Sequence, residues 1–311
     1  MKKILLVLAA ALLSAGISFA QDMTQATETA QKANELLSTG DKAAALAGFQ
    51  DALNQALACG EEGAELAGTC KGVIPNIMLS IAKDCIKAAD YDTAIEKLNE
   101  VVAKAKEFGA DEVAEEATKL VPQTLVTKAN GLLKDKDFAG AVALYQQALE
   151  LDPTNGNTAL RLGQALAGIG KVDEAVAAFE KAAENGQEAL AKKQISNIYL
   201  KQAAAALKAK KYADAVAAAD KANEYGDNAQ ASLIAGQASQ QMGKDKDAIA
   251  NFEKYLELAP TAKNAPAITF TVAALYQKAG NKAKAAEFYK KVVSDPQLGA
   301  QAKQQIDALS K

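Results

Sequence analysis

Reactive side chains are few in this sequence. Cys59, Cys70 and Cys85 are the only thiols, and none of the 311 residues is a histidine. Without imidazole there is no Ser-His-Asp or Cys-His nucleophile, no histidine general acid or base, and no zinc site built on imidazole. Three widely spaced cysteines do not assemble a thiolate metal site either. Cys59 and Cys70 flank a glycine-rich stretch, and in an exported chain they could close a short disulfide loop worth about 3 kcal/mol through the unfolded state. The other reading is two unpaired thiols, and an odd total leaves one cysteine free in any case. Asp111, Glu112, Glu115 and Glu116 recur at helical spacing on a polar face and read as solvated. Gly163, Gly168 and Gly170 lack both the spacing of a phosphate-binding loop and the strand that precedes one. Arg161 is the one arginine among 35 basic residues, a poor inventory for bidentate phosphate or base recognition. The formal charge of −3 points to no polyanionic partner. No catalysis, metal or cofactor is expected, and no nucleic acid.

Function must therefore come from how elements present ordinary side chains. Half of the residues are hydrophobic, only 5 % are aromatic, and there are six prolines. Alanine, the best helix former, is abundant, so the chain is expected to be all-helical. Residues 1–20 read as a secretory signal peptide. Lys2 and Lys3 form its charged start, Ile4 to Leu13 its apolar core, and Ser18-Phe19-Ala20 its cleavage site. The apolar run is half of what a membrane span needs. Leu66-Ala67-Gly68-Thr69-Cys70 resembles a lipidation box but lies far from that core. The mature chain is expected to start near Gln21, to have no integral membrane segment, and to work in the periplasm or outside the cell.

The rest of the sequence repeats itself. Between Pro122 and Gln187 two segments of 34 residues share one pattern. Ala129, Leu132, Phe138, Ala141, Tyr145 and Ala148 in the first match Gly163, Leu166, Val172, Ala175, Phe179 and Ala182 in the second. Similar registers recur along the chain. A small residue lies in the first helix of each unit, and an alanine lies in the second at Ala45, Ala94, Ala141, Ala175, Ala215, Ala248 and Ala285. Spacings of 49, 47, 34, 40, 33 and 37 put surplus residues after the first two units and before the fifth. The surplus 60–75 reads as helix broken by loop. That at 109–121 reads as an extended first helix bent at Pro122, and 186–196 as another lengthened helix. Cys85 falls on a core position of the second unit, where a thiol behaves as a small apolar residue.

Small residues at these offsets in a helix–turn–helix period resemble the tetratricopeptide repeat. The resemblance implies a right-handed α-solenoid, with repeats near 26–59, 75–108, 122–155, 156–189, 196–228, 229–262 and 266–296. Residues 297–311 would form a capping helix, and 21–311 a single repeat domain. The family's tryptophan is missing throughout.

The resemblance also implies where binding would occur. In this family the first helices line the concave face, and one line on it is the residue after each small position: Asn34, Lys83, Asn130, Gln164, Ala204, Gln237 and Ala274. Amides both donate and accept, which suits the backbone of an extended peptide. Asn130 and Gln164 are expected outside the helix–helix core. Leu79, Val126, Leu160, Leu200, Leu233 and Phe270 flank that line as apolar contacts. A solvated or self-packed inner surface is the alternative. The family's clamp for a terminal carboxylate pair, which needs set Lys and Asn residues, is not reproduced. The expectation is a non-catalytic scaffold of the bacterial cell envelope that takes a protein or peptide partner. The rival is a structural component that self-associates, or braces an envelope complex through its outer face.

Overall fold

The computed structural model describes residues 17–310. Residues 1–16, with the charged start and apolar core of the expected signal, lie outside the described residues. The regular elements are helical throughout, and no helix among the described residues is long and apolar enough to cross a membrane. The chain divides into two compact units, Met1–Thr154 and Asn155–Lys311.

The first unit holds three helical hairpins: α1 (Ile17–Thr39) with α2 (Lys42–Ala58), α3 (Ala64–Lys87) with α4 (Tyr91–Glu107), and α5 (Asp111–Lys134) with α6 (Phe138–Leu151). The second holds four: α7 (Gly156–Gly168) with α8 (Val172–Ala182), α9 (Glu188–Lys208) with α10 (Tyr212–Glu224), α11 (Ala229–Gln241) with α12 (Asp245–Leu258), and α13 (Ala265–Lys278) with α14 (Lys282–Lys290). A last helix, α15 (Gly299–Leu309), follows. Its Ala302 is fully buried, and Ile306 and Leu309 pack on the core of α12–α14.

Each hairpin closes on the small residues that the repeat register singles out. Ala45, Ala94, Ala141, Ala175, Ala215, Ala248 and Ala285 are all 0 % exposed. Four residues on from each, one helical turn later on the same face, stand Phe49, Leu98, Tyr145, Phe179, Ala219, Phe252 and Tyr289, all buried. The first helix makes room for them. A Cβ on Gly163 would meet the Phe179 ring at 2.7 Å, and one on Gly236 the Phe252 ring at 2.5 Å. Only the fifth hairpin has alanine at this place. Its core is Ala203, Ala215, Ala219 and Ala222, with Ile195 the largest buried side chain of α9 and α10.

One turn geometry recurs in all seven hairpins. The N–H of the residue just before the second helix reaches the carbonyl five residues back, as from Asp41 to Leu36 at 2.9 Å and from Lys171 to Leu166 at 3.0 Å. The residue directly before that donor is left-handed. It is glycine at Gly40, Gly170, Gly243 and Gly280, but Ala89, Lys136 and Lys210 hold φ near +60° without that freedom.

The surplus residues lengthen first helices. The stretch 60–75, expected as helix broken by loop, is one 3-10 turn (Gly60–Gly63) followed by unbroken α3. Gly63 packs against α2 so tightly that a Cβ would lie 1.8 Å from the Ala56 carbonyl oxygen. Gly68 and Gly72 simply face open space within the helix. Pro75 and Pro122 stand seven residues before Ala82 and Ala129, as Pro266 stands before Ala273 at the start of α13. Proline is therefore at the place where an ordinary first helix begins. The surplus adds helix upstream of it, and α5 runs through Pro122. The extension before the fifth hairpin starts at Glu188, after a wide turn over Ala183–Gln187 in which Gly186 is left-handed.

Candidate binding surface

The outward stripe of the first helices carries the residues that the sequence places on a groove, and each unit presents its own part. In the first unit, Asn34 is half-buried on α1. Lys83 on α3 is tied to Glu116 of α5 at 2.6 Å. Asn130 on α5 accepts the Tyr145 hydroxyl of α6 at 2.7 Å, which commits its carbonyl and leaves its NH2 to donate. In the second unit, the Gln164 carbonyl on α7 receives Arg161 at 3.3 Å, and Gln237 on α11 is half-buried.

The flanking apolar positions divide. Val126, Leu200 and Phe270 are half-buried and open in part to solvent, Phe270 standing edge-on to Tyr289 with ring centres 5.1 Å apart. Leu79, Leu160 and Leu233 are at most 8 % exposed. Leu79 belongs to the core of α3–α5 and Leu233 to that of α11–α14. These three leucines are core residues and offer nothing to a ligand. A position three residues before the small residue lies over the preceding turn of the helix, and there the adjacent helices cover it.

Sequence reasoning missed the strongest polar feature of this stripe. Seven residues before five of the seven positions after the small residue, two turns up the same face, stand Asn76 and Gln123 in the first unit and Asn157, Asn197 and Gln230 in the second; the first and last hairpins have Thr27 and Ala267 there. These amides are all exposed except Asn197, which is half-buried. Asn76 donates to the Gly72 carbonyl at 2.8 Å. In the second unit Asn157 and Gln164 on α7, Asn197 on α9, and Gln230 and Gln237 on α11 therefore line one stripe, with Leu200 among them. The signal was the seven-residue spacing from Gln164 and Gln237.

The second helices present a different surface. Leu57, Leu151 and Leu258 are exposed there, the latter two ten residues after Ala141 and Ala248 respectively. A cleft of about 500 Å³ lies between α2 and α4, floored by Ile74 and edged by Asp51, Lys71, Lys104 and Glu107. The corresponding joint of α12 with α13 and α14 holds one of about 490 Å³, with Leu256, Pro266 and Val292 inside and Glu253, Glu257 and Lys291 at its rim.

No group of three or more metal-ligating side chains occurs among the described residues. Asp111, Glu112, Glu115 and Glu116 lie exposed along α5, where Glu115 meets Lys119 at 3.6 Å and Glu116 meets Lys83. The cysteines are all free, so the expected Cys59–Cys70 bridge is not formed. Cys59 ends α2 with its thiol toward the Gln55 carbonyl at 3.3 Å, while Cys70 is fully buried within α3. Burial pushes the Cys70 thiol up to about 11.

Comparison with known proteins adds two family matches, both described as tetratricopeptide repeat, over residues 132–195 and 229–261. Among curated proteins none matches. Solved structures resemble the chain at low identity. One is titled as the crystal structure of MamA protein, with 21 % identity, 58 % of this chain and 94 % of that one covered, and a TM-score of 0.35. Another is YrrB, titled a TPR protein with an unusual peptide-binding site, with 22 % identity, 58 % and 91 % covered, and a TM-score of 0.32. A MamA from Desulfovibrio magneticus RS-1 matches at 18 % identity, with 56 % and 93 % covered and a TM-score of 0.33.

Proposed function

Since this chain is a tetratricopeptide-repeat protein, a scaffold for protein interaction, we propose that it holds an extended peptide segment of a partner along the amide stripe of its first helices, and that it does so without catalysis in the bacterial cell envelope. The observation that carries this reading is the set Asn157, Gln164, Asn197, Gln230 and Gln237 on one outward face of the second unit. Surface amides at arbitrary positions would be unremarkable. Amides on one stripe of the first helices of three successive hairpins can both donate to and accept from a peptide backbone. Leu200 beside them supplies an apolar contact for a side chain of the partner. An exported location is supported by the charged start, short apolar core and Ser18-Phe19-Ala20 of the sequence.

The experiment is affinity capture of the exported chain from envelope extract, followed by titration of the captured partner against single alanine variants of Gln230 and Gln237. Each neutral hydrogen bond contributes about 1 kcal/mol net, so each variant should bind several-fold more weakly. Binding that survives the Gln230/Gln237 double variant and is lost on replacing Leu57 or Leu258 would transfer the role to the second helices and favour bracing or self-association. The mass of the exported chain should begin at or near Gln21; an intact Met1 or a lipid adduct would contradict export by a cleaved signal.

A further inference from the structure

The near-neutral total conceals two opposite halves. Met1–Thr154 carries 14 Lys and Arg against 22 Asp and Glu, whereas Asn155–Lys311 carries 21 against 16, so a net −8 and a net +5 make up the −3 of the chain. Asymmetry of this kind points to an anionic partner for one half. The excess in the second unit gathers on one edge. Consecutive helices joined by short connections alternate in direction, so the turns after α7, α9, α11 and α13 share a side of the unit. Those turns, residues 168–174, 208–214, 241–247 and 278–284, hold nine lysines and five carboxylates. Three lysines are paired: Lys171 with Glu174, Lys278 with Asp245, and Lys284 with Glu287. Lys208, Lys210, Lys211, Lys244, Lys246 and Lys282 are exposed and form no ion pair among the described residues.

A solvated lysine edge is ordinary; lysines that break local folding rules are not. In the first unit the second helices are capped by Asp41, Asp90 and Asp137, each accepting a backbone N–H of the first turn. At the same place in the fourth, fifth and sixth hairpins stand Lys171, Lys211 and Lys244, with no side-chain cap. Each forgoes a hydrogen bond and sets a cation at the positive end of a helix dipole. Glu174 relieves this for Lys171; after Lys211 and Lys244 the first-turn carboxylates Asp214, Asp245 and Asp247 answer the dipole, but none of them pairs with either lysine. Lys210 also takes the left-handed turn position that is glycine in the three other hairpins of the unit. Solvation would be served equally well by lysines elsewhere. Three successive departures from the capping preference on one edge are where function is to be sought.

We propose that this edge docks the second unit onto an anionic phospholipid surface. Turns in a row along one side meet a plane, not a groove. Lysine is a compact point charge without the directed fork of arginine, which suits mobile headgroups better than a fixed phosphate geometry. Ile169, 39 % exposed, belongs to the same edge and offers an apolar contact at headgroup depth. The first unit, net negative and capped by aspartates, is not attracted to such a surface. The amide stripe takes no part, so failure of either assignment leaves the other standing.

The test is co-sedimentation of the purified chain with vesicles of phosphatidylcholine alone and of phosphatidylcholine mixed with phosphatidylglycerol. The chain should bind only the mixed vesicles and be released by salt. Each lysine near such a surface is worth roughly a fivefold change in affinity. Lys211→Asp and Lys244→Asp should therefore each weaken binding fivefold or more, while raising Tm because a cap is restored. Lys106→Asp, on the first unit, should bind as the parent does. Higher melting with unchanged vesicle binding would reduce these lysines to poor caps and overturn the proposal. So would binding to polyphosphate without binding to the mixed vesicles, or binding to neither.

Discussion

The hydroxyl of Tyr145, a fully buried side chain of α6, donates to the side-chain carbonyl of Asn130 on α5 at 2.7 Å. An amide on the outward stripe is thereby tied into the contact between the two helices of its own hairpin. Asn130→Ala should lower stability by about 1 kcal/mol, the net value of one such bond. Gln237→Ala, with no bond of this kind, should leave it within about 0.5 kcal/mol. Urea midpoints of the two variants check this, and equal midpoints would contradict it.

Ala175 is fully buried where α7 and α8 meet, and Gly163 faces Phe179 across the same contact. Ala175→Leu should cost about 1–3 kcal/mol by overpacking. Ala177→Leu, two residues on and exposed, should stay within about 0.5 kcal/mol. If both variants unfold at the same urea concentration, the register of the fourth hairpin is wrong.

Ala89, Lys136 and Lys210 hold left-handed backbone that costs an ordinary residue roughly 1–2 kcal/mol. Lys136→Gly should raise stability by about 1 kcal/mol, since the glycine's own entropic cost offsets part of the relief. Gly170→Ala, with the same geometry and open space around it, should lower stability by a similar amount. Thermal melts of the pair should move in opposite directions.

The thiols give a chemical readout. In the folded chain a small alkylating reagent at neutral pH should modify the half-buried Cys85 first, and Cys70 only after unfolding. Unfolding without reductant should expose three reactive thiols; one alone would mean a Cys59–Cys70 bond. Burial raises Cys70 to about 11, above the 9.0 of a free thiol. Its contribution to stability is then full below about pH 9 and is lost as pH rises toward about 11. Cys70→Ala should flatten stability in that window.

The fold was legible because small residues have a geometric meaning. Ala45 or Ala175 in the middle of a helix says that another helix comes close, and the 34-residue period says which one. Direction along the helix was legible as well, but coverage was not. Leu79, Leu160 and Leu233 share their offset with Val126, Leu200 and Phe270, and only the packing of neighbouring helices decides which of them meet solvent. Asn130 was misjudged for a related reason, because its bond partner Tyr145 lies fifteen residues away across a turn. Stretch 60–75 looked like a loop because glycine usually breaks helices, yet Gly68 and Gly72 sit on an open face of α3 where only propensity, about 1 kcal/mol each, is lost. Within each unit, the amides seven residues before the marked positions, Asn76 and Gln123 in the first and Asn157, Asn197 and Gln230 in the second, were readable from that spacing alone.

The fifth hairpin, with Ala219 where its neighbours have phenylalanine or tyrosine, is also a statement about cooperativity. In a stacked array each hairpin is held by its own packing and by its nearest neighbours, so stability adds along a line rather than around a centre. Burying alanines removes far less apolar surface from water than burying Phe179 or Phe252. Within the second unit, α9 and α10 should therefore open more often than the hairpins on either side, and amide hydrogen exchange should be fastest there among the buried helices. Opening at that point would separate Asn157 and Gln164 from Gln230 and Gln237 without unfolding the helices that carry them. A ligand spanning all four would then couple its own affinity to the closing of the weakest hairpin.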